Sequence, residues 1–389
     1  MPKRQAVLKL HYMSIFIFSA GLVVLVLIGG FFAWRLARAY RQFTVKMNLT
    51  SATLLADLPS VSVCIPARNE THAMTECLER VIASNYPKIE IIVLDDSSVD
   101  DTSVLIKSFA HSGVRFVEGS PLPDGWLGKN HALEGLLKEA SGRYVFFMDV
   151  DTKISPFTIS QLVAYAASED ATMVSVLPRR NDGWRMSVIW TTLRYFWEII
   201  FHTPAKPVAA SNAWMVHRRT LRDEIGGFSD FKLDVQPEQS IAQRIARLGR
   251  YRFLIGSPDL GVSYEKKWSS QVETSIRLLL PRVGGHIYQG LLAVFGLALL
   301  NAPTAFIVLS ILSGWWSMAI TAFVVGMVFV VIYASFTYRT WSRGWWLGGI
   351  LWPLLVYKEM ILMCLSIIRY ATGSVTWKGR PVVSSIKQA

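Results

Sequence analysis

The most constraining feature of this chain is where it carries no charge. Residues 14–34 form a run of 21 without Asp, Glu, Lys or Arg, the length a helix needs to cross a hydrocarbon core of about 30 Å. The run exceeds the h-region of a signal peptide, and Phe31-Phe32-Ala33-Trp34-Arg35 offers no small-x-small cleavage site, so it reads as an uncleaved anchor. A second charge-free stretch, 287–338, is interrupted at Asn301-Ala302-Pro303 and at Ser313-Gly314-Trp315-Trp316-Ser317. Two spans are expected there, near 289–312 and 317–337, with Trp315, Trp316, Tyr333 and Tyr338 at the interfaces. A third segment, 345–368, holds Lys358 and Glu359 near its middle. Neighbouring side chains point about 100° apart on a helix, so burying both requires a partner for each. That segment reads as a span, a re-entrant element or an interfacial helix.

Charge placement sharpens the picture. Only 17% of residues are charged and 52% are hydrophobic, which disfavours disorder, while Gly and Pro without a three-residue period disfavour collagen. The net charge of +12 invites a nucleic-acid reading. However, residues 1–50 hold seven Lys/Arg and no acid, and residues 283–389 hold seven and one, leaving 26 basic and 27 acidic residues in between. The excess therefore flanks the apolar segments, including Arg35, Arg38, Arg41 and Lys46, as expected beside anionic headgroups. No nucleic-acid partner is expected. Cys64, Cys77 and Cys364 form no metal-like spacing and read as buried thiols.

Between the apolar ends, short β-branched runs alternate with helical periodicity. Residues 61–66 and 89–94 are near-continuous apolar runs, the mark of parallel strands covered on both faces. Between them Met74, Cys77, Leu78, Val81 and Ile82 recur at helical spacing over 70–84. Helix 101–111, strand 114–117, helix 129–141 and strand 143–148 continue the series. The fold class is α/β, with a mostly parallel sheet and helices on both faces.

Ligands of such sheets bind at the carboxyl ends of the strands. The first strand runs into Pro66-Ala67-Arg68-Asn69-Glu70, the second into Asp95-Asp96-Ser97-Ser98-Val99-Asp100, and the fourth into Asp149-Val150-Asp151. No GxGxxG or GxxxxGKS follows, so neither a dinucleotide site nor a P-loop is indicated. An Asp-x-Asp at a strand end suits a hard divalent cation that screens a diphosphate. Alone the motif is weak, since acidic pairs also sit in solvated turns and at helix N-caps, and the Asp95-Asp96 pair admits the same reading, with Asp100 or Asp101 capping the next helix.

In order, Ile65-Pro66-Ala67-Arg68-Asn69-Glu70, Ile91-Ile92-Val93-Leu94-Asp95-Asp96, Gly128-Lys129-Asn130-His131 and Asp149-Val150-Asp151 resemble the successive motifs of family 2 inverting glycosyltransferases. Pro123-Asp124-Gly125-Trp126-Leu127-Gly128-Lys129, with Trp377-Lys378-Gly379-Arg380 near the end, resembles membrane-bound members associated with carotenoid and hopanoid pathways. The resemblance implies a GT-A catalytic domain over 51–282, between an anchor at 1–50 and a membrane region at 283–389. It also implies a nucleotide-sugar donor, expected to be a UDP-sugar, and Mg or Mn. By position, Pro66, Arg68 and Glu70 would line the nucleoside pocket, Asp95 or Asp96 would contact the base, and Lys129 would face the diphosphate. Asp149 and Asp151 would bind ribose and metal, Asp151 being the metal ligand of choice. Trp126 reads either as a sugar or lipid contact or as a core residue.

Two departures from the family pattern matter. The Glu-Asp pair that supplies the base is absent, and Pro237-Glu238 stands in its place. Glu238 is the expected base, with Asp234 as fallback; the same residues also make a good helix start. The Gln-x-x-Arg-Trp motif of polymerising members is reduced to Arg282 in Leu279-Leu280-Pro281-Arg282-Val283, which argues for non-processive transfer. Arg282, with Arg277, is read as a diphosphate clamp or as a bilayer-surface anchor. Residues 184–201 read either as core or, preferred for their position in a chain anchored at both ends, as an interfacial helix facing a lipid acceptor. The expected enzyme is a multi-pass protein of the cell membrane with its catalytic domain in the cytosol. The rival readings are a non-catalytic scaffold and a transferase with a soluble acceptor.

Overall fold

The computed structural model describes residues 2–45, 58–182 and 191–382. In chain order the elements are α1 (Pro2–Phe43), β1 (Val61–Ala67), α2 (Thr71–Ile82), β2 (Ile89–Asp95), α3 (Thr102–Ser108), β3 (Val114–Glu118), α4 (Gly128–Glu139), β4 (Tyr144–Met148) and β5 (Thr152–Lys153). Then come α5 (Thr158–Ser168), β6 (Met173–Leu177), β7 (Arg179–Arg180), α6 (Arg194–Phe201), β8 (Ala213–His217), α7 (Pro237–Ala246), β9 (Tyr251–Ile255) and β10 (Ser263–Tyr264). The chain continues through α8 (Trp268–Arg282), α9 (Ile287–Leu300), α10 (Ala302–Leu312), α11 (Trp316–Thr340), α12 (Trp345–Ile350) and α13 (Trp352–Ala371), and ends in a hairpin, β11 (Thr376–Trp377) and β12 (Arg380–Pro381).

The main sheet has the order β3-β2-β1-β4-β8-β6-β9. Only β8 runs against its neighbours β4 and β6; the other pairings are parallel. Alternation along β1 explains why both faces are covered. Val61, Val63 and Ile65 pack with Met74, Leu78 and Val81 of α2, whereas Cys64 joins Ile92 and Leu133, Leu136 and Leu137 of α4. Burying each such side chain stabilises the fold by about 1.5–3 kcal/mol. The strand and helix positions expected from periodicity match these elements to within a few residues.

The apolar ends differ from expectation. Instead of stopping near Trp34, α1 continues to Phe43, and its candidate span is Phe18–Phe43. The arginines do not end it, because Arg35 donates to the carbonyls of Ile200, at 2.6 Å, and His202. The single span expected over 289–312 is broken into α9 and α10 at the buried Asn301, whose amide donates to Pro353 O at 3.2 Å. Pro303, in the first turn of α10, supports the break. The second candidate span is Trp316–Thr340, while α8 and α9 meet at 110° as a bent pair. Tyr333, expected at an interface, is fully buried. Lys358 and Glu359 on α13 are buried together, with Lys358 Nζ donating to Thr191 O at 2.6 Å and to Glu359 Oε2 at 3.0 Å; the long lysine stem bridges the 100° offset. Cys364 is exposed, unlike Cys64 and Cys77.

The helix expected over 184–201 falls partly outside the described residues. Residues 183–190, like Lys46 and Lys387, lie outside the described residues, and among the described ones the helix is α6. Phe196, on its buried face, sits among Phe32 of α1 (6.3 Å), Tyr333 and Phe336 of α11 (5.2 and 5.4 Å) and Trp352 of α13 (5.5 Å). Its buried face therefore joins the sheet domain to the long apolar helices, as the core reading expects, while Phe201 is 55% exposed.

Candidate active site

The carboxyl ends of β1, β2 and β4 open into a cavity of about 590 Å³. The turns leaving β1 and β2 lock each other: Asn69 Oδ1 accepts from Val99 N at 2.9 Å, and Asn69 N donates to Ser98 Oγ at 2.9 Å. Both turns need left-handed backbone, at Asn69 and Ser97. Pro66, Arg68, Glu70, Asp96, Lys129, Asp149 and Asp151 all line the cavity. Arg68 donates to the carbonyls of Asp96 and Ser97.

Asp149 and Asp151 differ in chemistry although they are two residues apart. Lys129 Nζ donates to Asp149 Oδ1 at 2.8 Å. Burial works to raise the Asp149 carboxyl, but Lys129 outweighs it and holds the group below its ordinary value. Lys129 lies in the first turn of α4, where a cation opposes the helix dipole unless an anion balances it. Asp151 is the reverse case. Burial pushes its carboxyl up, Asp149 and Glu70 adding to the rise against the pull of Lys266. Its Oδ1 is buried with no hydrogen-bond partner.

Across the cavity the C-terminal hairpin supplies the counter-charges. Arg380 Nη1 sits 2.9 and 2.7 Å from the two carboxylate oxygens of Asp96, which is only 3% exposed. Burial raises the Asp96 carboxyl and Arg380 opposes the rise. Lys378 pairs with Glu70 and donates to Arg68 O at 2.7 Å.

Behind Lys129 a smaller cavity holds Glu238, with Arg277 and Trp377 shared between the two spaces. Pro237 starts α7, and Glu238 follows it in the first turn. Glu238 is 3% exposed, with Arg194 Nη2 at 3.3 Å. Burial nonetheless raises its carboxyl above the ordinary range, against Arg194 and Lys129. Buried Asn130 fixes this side to α4 by donating to Phe231 O at 2.7 Å and Asp234 O at 2.8 Å.

Residues 62–222 match the family described as Glycosyl transferase family 2. They form a family 2 glycosyltransferase domain. YdaM of Bacillus subtilis (strain 168), a probable glycosyltransferase, is 32% identical over 113 residues, or 28% of this chain and 27% of that protein. A 4,4'-diaponeurosporenoate glycosyltransferase of Staphylococcus aureus (strain bovine RF122 / ET3-1) is 31% identical over 110 residues, 28% of each protein. The matched region thus spans about a quarter of the length of these curated relatives. A solved mannosyltransferase, PcManGT from Pyrobaculum calidifontis in complex with GDP-Man and Mn2+, has the same fold at 20% identity and a TM-score of 0.54, over 91% of this chain and 99% of that one. The mostly parallel sheet is that of the GT-A fold.

Two residues expected at the donor lie elsewhere. Asp95 does not line the cavity; its carboxylate accepts from Ser98 and Ser103 and shapes the turn after β2. Arg282 points toward α6, with Nε 3.4 Å from Glu198 Oε1 and Nη2 donating to Arg194 O at 3.0 Å. The reason is the geometry of α8: Arg277, five residues earlier, reaches the cavity and leaves its Nε buried without a partner. Asp234 is also occupied, accepting from Gln236 N at 2.9 Å and from Ser240 Oγ at the start of α7. Trp126 packs partly buried against the α4 core and the ring of His131. Lys266 was not foreseen: it faces Asp149 and Asp151 from the loop before α8. The loop pair Lys266-Lys267 carries no motif that points to the strand ends, and only the return of the chain brings Lys266 there.

Proposed function

We propose that this chain is a membrane glycosyltransferase that moves a sugar from a UDP-sugar to a hydroxyl of a lipid acceptor, non-processively and with inversion. The observation that carries the reading is the orphaned, buried Oδ1 of Asp151, set among Lys129, Lys266 and Arg277 at the strand ends. A buried acid with a free lone pair beside clustered cations suits a divalent metal and a diphosphate together. A Mg- or Mn-type ion is commonly held by one or two carboxylates together with substrate phosphates. Asp151 would hold the ion and Asp149 would assist. When bound, it supplies charge neutralisation for the diphosphate.

Glu238 takes the proton of the acceptor hydroxyl, whose oxygen forms the new bond to the anomeric carbon from the face opposite the diphosphate. The bond from that carbon to the diphosphate oxygen breaks, and the configuration inverts. Lys129 and Arg277 stabilise the departing negative charge. Arg68 and Asp96 border the nucleoside end. A lipid acceptor is supported by the carotenoid acid in the name of the Staphylococcus aureus relative and by the two candidate spans. A cytosolic catalytic domain in the cell membrane is supported by Arg38, Arg41, Arg339 and Arg343 at the domain ends of α1 and α11.

The test is metal-dependent release of UDP from UDP-sugars by the full chain, with Asp151→Ala and Glu238→Gln as controls and partition of the product into organic solvent as the acceptor readout. Turnover unchanged by both substitutions refutes the site. A water-soluble product refutes the lipid acceptor.

A further inference from the structure

Away from the donor cavity, and sharing none of its residues, α1 and α11 leave an open groove of about 700 Å³ between them. Both helices are candidate spans, so the groove faces the bilayer. Its floor is lowered by Ala33 and Ala37, one turn apart on α1, and Val331 of α11, 62% exposed, forms a wall. At the domain end the character changes. Arg41 and Arg339 flank the groove, and among the described residues neither has a carboxylate within ion-pair distance. The Arg339 guanidinium lies 4.2 Å over the ring of Tyr40. Tyr40 is only 8% exposed, and the polar neighbours of its hydroxyl, Ser335 and Arg339, form no hydrogen bond of good geometry with it. A buried hydroxyl without a well-formed hydrogen bond is costly, and two guanidiniums without a carboxylate beside it call for an anionic oxygen acceptor.

An apolar groove ending in two arginines without carboxylate partners and a poorly satisfied hydroxyl has the shape and charge of one amphiphile. We propose that this groove binds an anionic glycerophospholipid, with the headgroup phosphate on Arg41, Arg339 and the Tyr40 hydroxyl and one acyl chain along Ala33 and Ala37. The site has a structural consequence. The end of α11 is tied to the family 2 domain, since Trp341 O accepts from Arg179 at 2.8 Å and Ser342 N donates to Arg180 O at 2.8 Å. A lipid that pins α1 to α11 therefore steadies the attachment of the domain.

The experiment uses the full chain in mild detergent, titrated separately with phosphatidylglycerol, phosphatidylcholine and inorganic phosphate. Retained lipid is counted by native mass spectrometry, and the unfolding midpoint is followed in parallel. Phosphatidylglycerol is expected to bind at least tenfold more tightly than phosphatidylcholine and to raise the midpoint, with inorganic phosphate leaving it unmoved. Arg41→Gln and Arg339→Gln should each weaken phosphatidylglycerol by roughly fivefold, from about 1 kcal/mol per basic residue near the surface. Ala37→Trp, an exposed substitution that fills the groove and tests it if an arginine variant misfolds, should abolish retention. Equal binding of the two lipids, full retention by the double arginine variant or by Ala37→Trp, or equal protection by inorganic phosphate would overturn the proposal.

Discussion

Replacing Glu238 by glutamine should separate catalysis from folding. The amide keeps the shape of the side chain and an oxygen for Arg194, but it cannot take a proton. Loss of a positioned general base costs about 100- to 10,000-fold in rate, or about 3–5 kcal/mol of transition-state stabilisation. Stability should move the other way. Burial holds the Glu238 carboxyl above its ordinary value, so its protonated form favours the fold, and that contribution is lost as pH rises through the raised folded value. Glutamine resembles the protonated form, and Arg194 retains Glu198 at 2.9 Å. The expected outcome at pH 7.5 is an unfolding midpoint equal to or above wild type, unchanged UDP affinity and a kcat at least 100-fold lower. Initial rates of UDP release at saturating donor and thermal unfolding in detergent measure both. Wild-type kcat should also rise with pH through the raised Glu238 value, a limb that Glu238→Gln lacks. The matched control is Asp234→Asn, which loosens the start of α7; its midpoint should fall while kcat stays within tenfold. More than a third of wild-type kcat in Glu238→Gln would refute the reasoning. A 100-fold loss in Asp234→Asn with an unchanged midpoint would move the base to Asp234.

Three further outcomes are expected. Asp151→Asn should abolish the metal dependence of UDP binding in titration calorimetry while leaving the metal-free midpoint equal or higher, because it removes a buried acid whose ionised form is disfavoured. Arg380→Ala should lower the unfolding midpoint by the equivalent of about 3 kcal/mol, the low end for breaking a buried pair, since Asp96 is left buried while the Arg380 side chain is itself 19% exposed; an unchanged midpoint would show that the hairpin does not hold Asp96. Phe196→Ala should cost about 3–5 kcal/mol, because the ring is 1% exposed among Phe32, Tyr333, Phe336 and Trp352; a midpoint within a degree of wild type would show that α6 does not join the domain to the apolar helices.

Much of the domain was legible because its signals are local. The alternation that sends Val63 and Cys64 to opposite faces is carried by neighbouring residues, as is the helical spacing of Met74, Cys77, Leu78 and Val81. The polar turns after β1, β2 and β4 follow from the same strands. Side-chain direction was not legible. Nothing local distinguishes Asp95, which turns into the loop after β2, from Asp96, which faces the cavity. Nor does spacing alone reveal that Arg277 rather than Arg282 reaches it.

The sequence by itself determined the α/β series, the acids at the strand ends and the placing of the positive charge beside apolar helices, because periodicity and charge are properties of short stretches. Only the tertiary structure decided which charges meet. Lys378 reaches Glu70 and Arg380 reaches Asp96 across about 300 positions of chain, and Arg194, Glu198, Glu238 and Arg282 assemble from three separate helices. Coulombic and hydrogen-bond partners are set by distance in space and by exclusion of water, and neither is written into the spacing of residues along the chain.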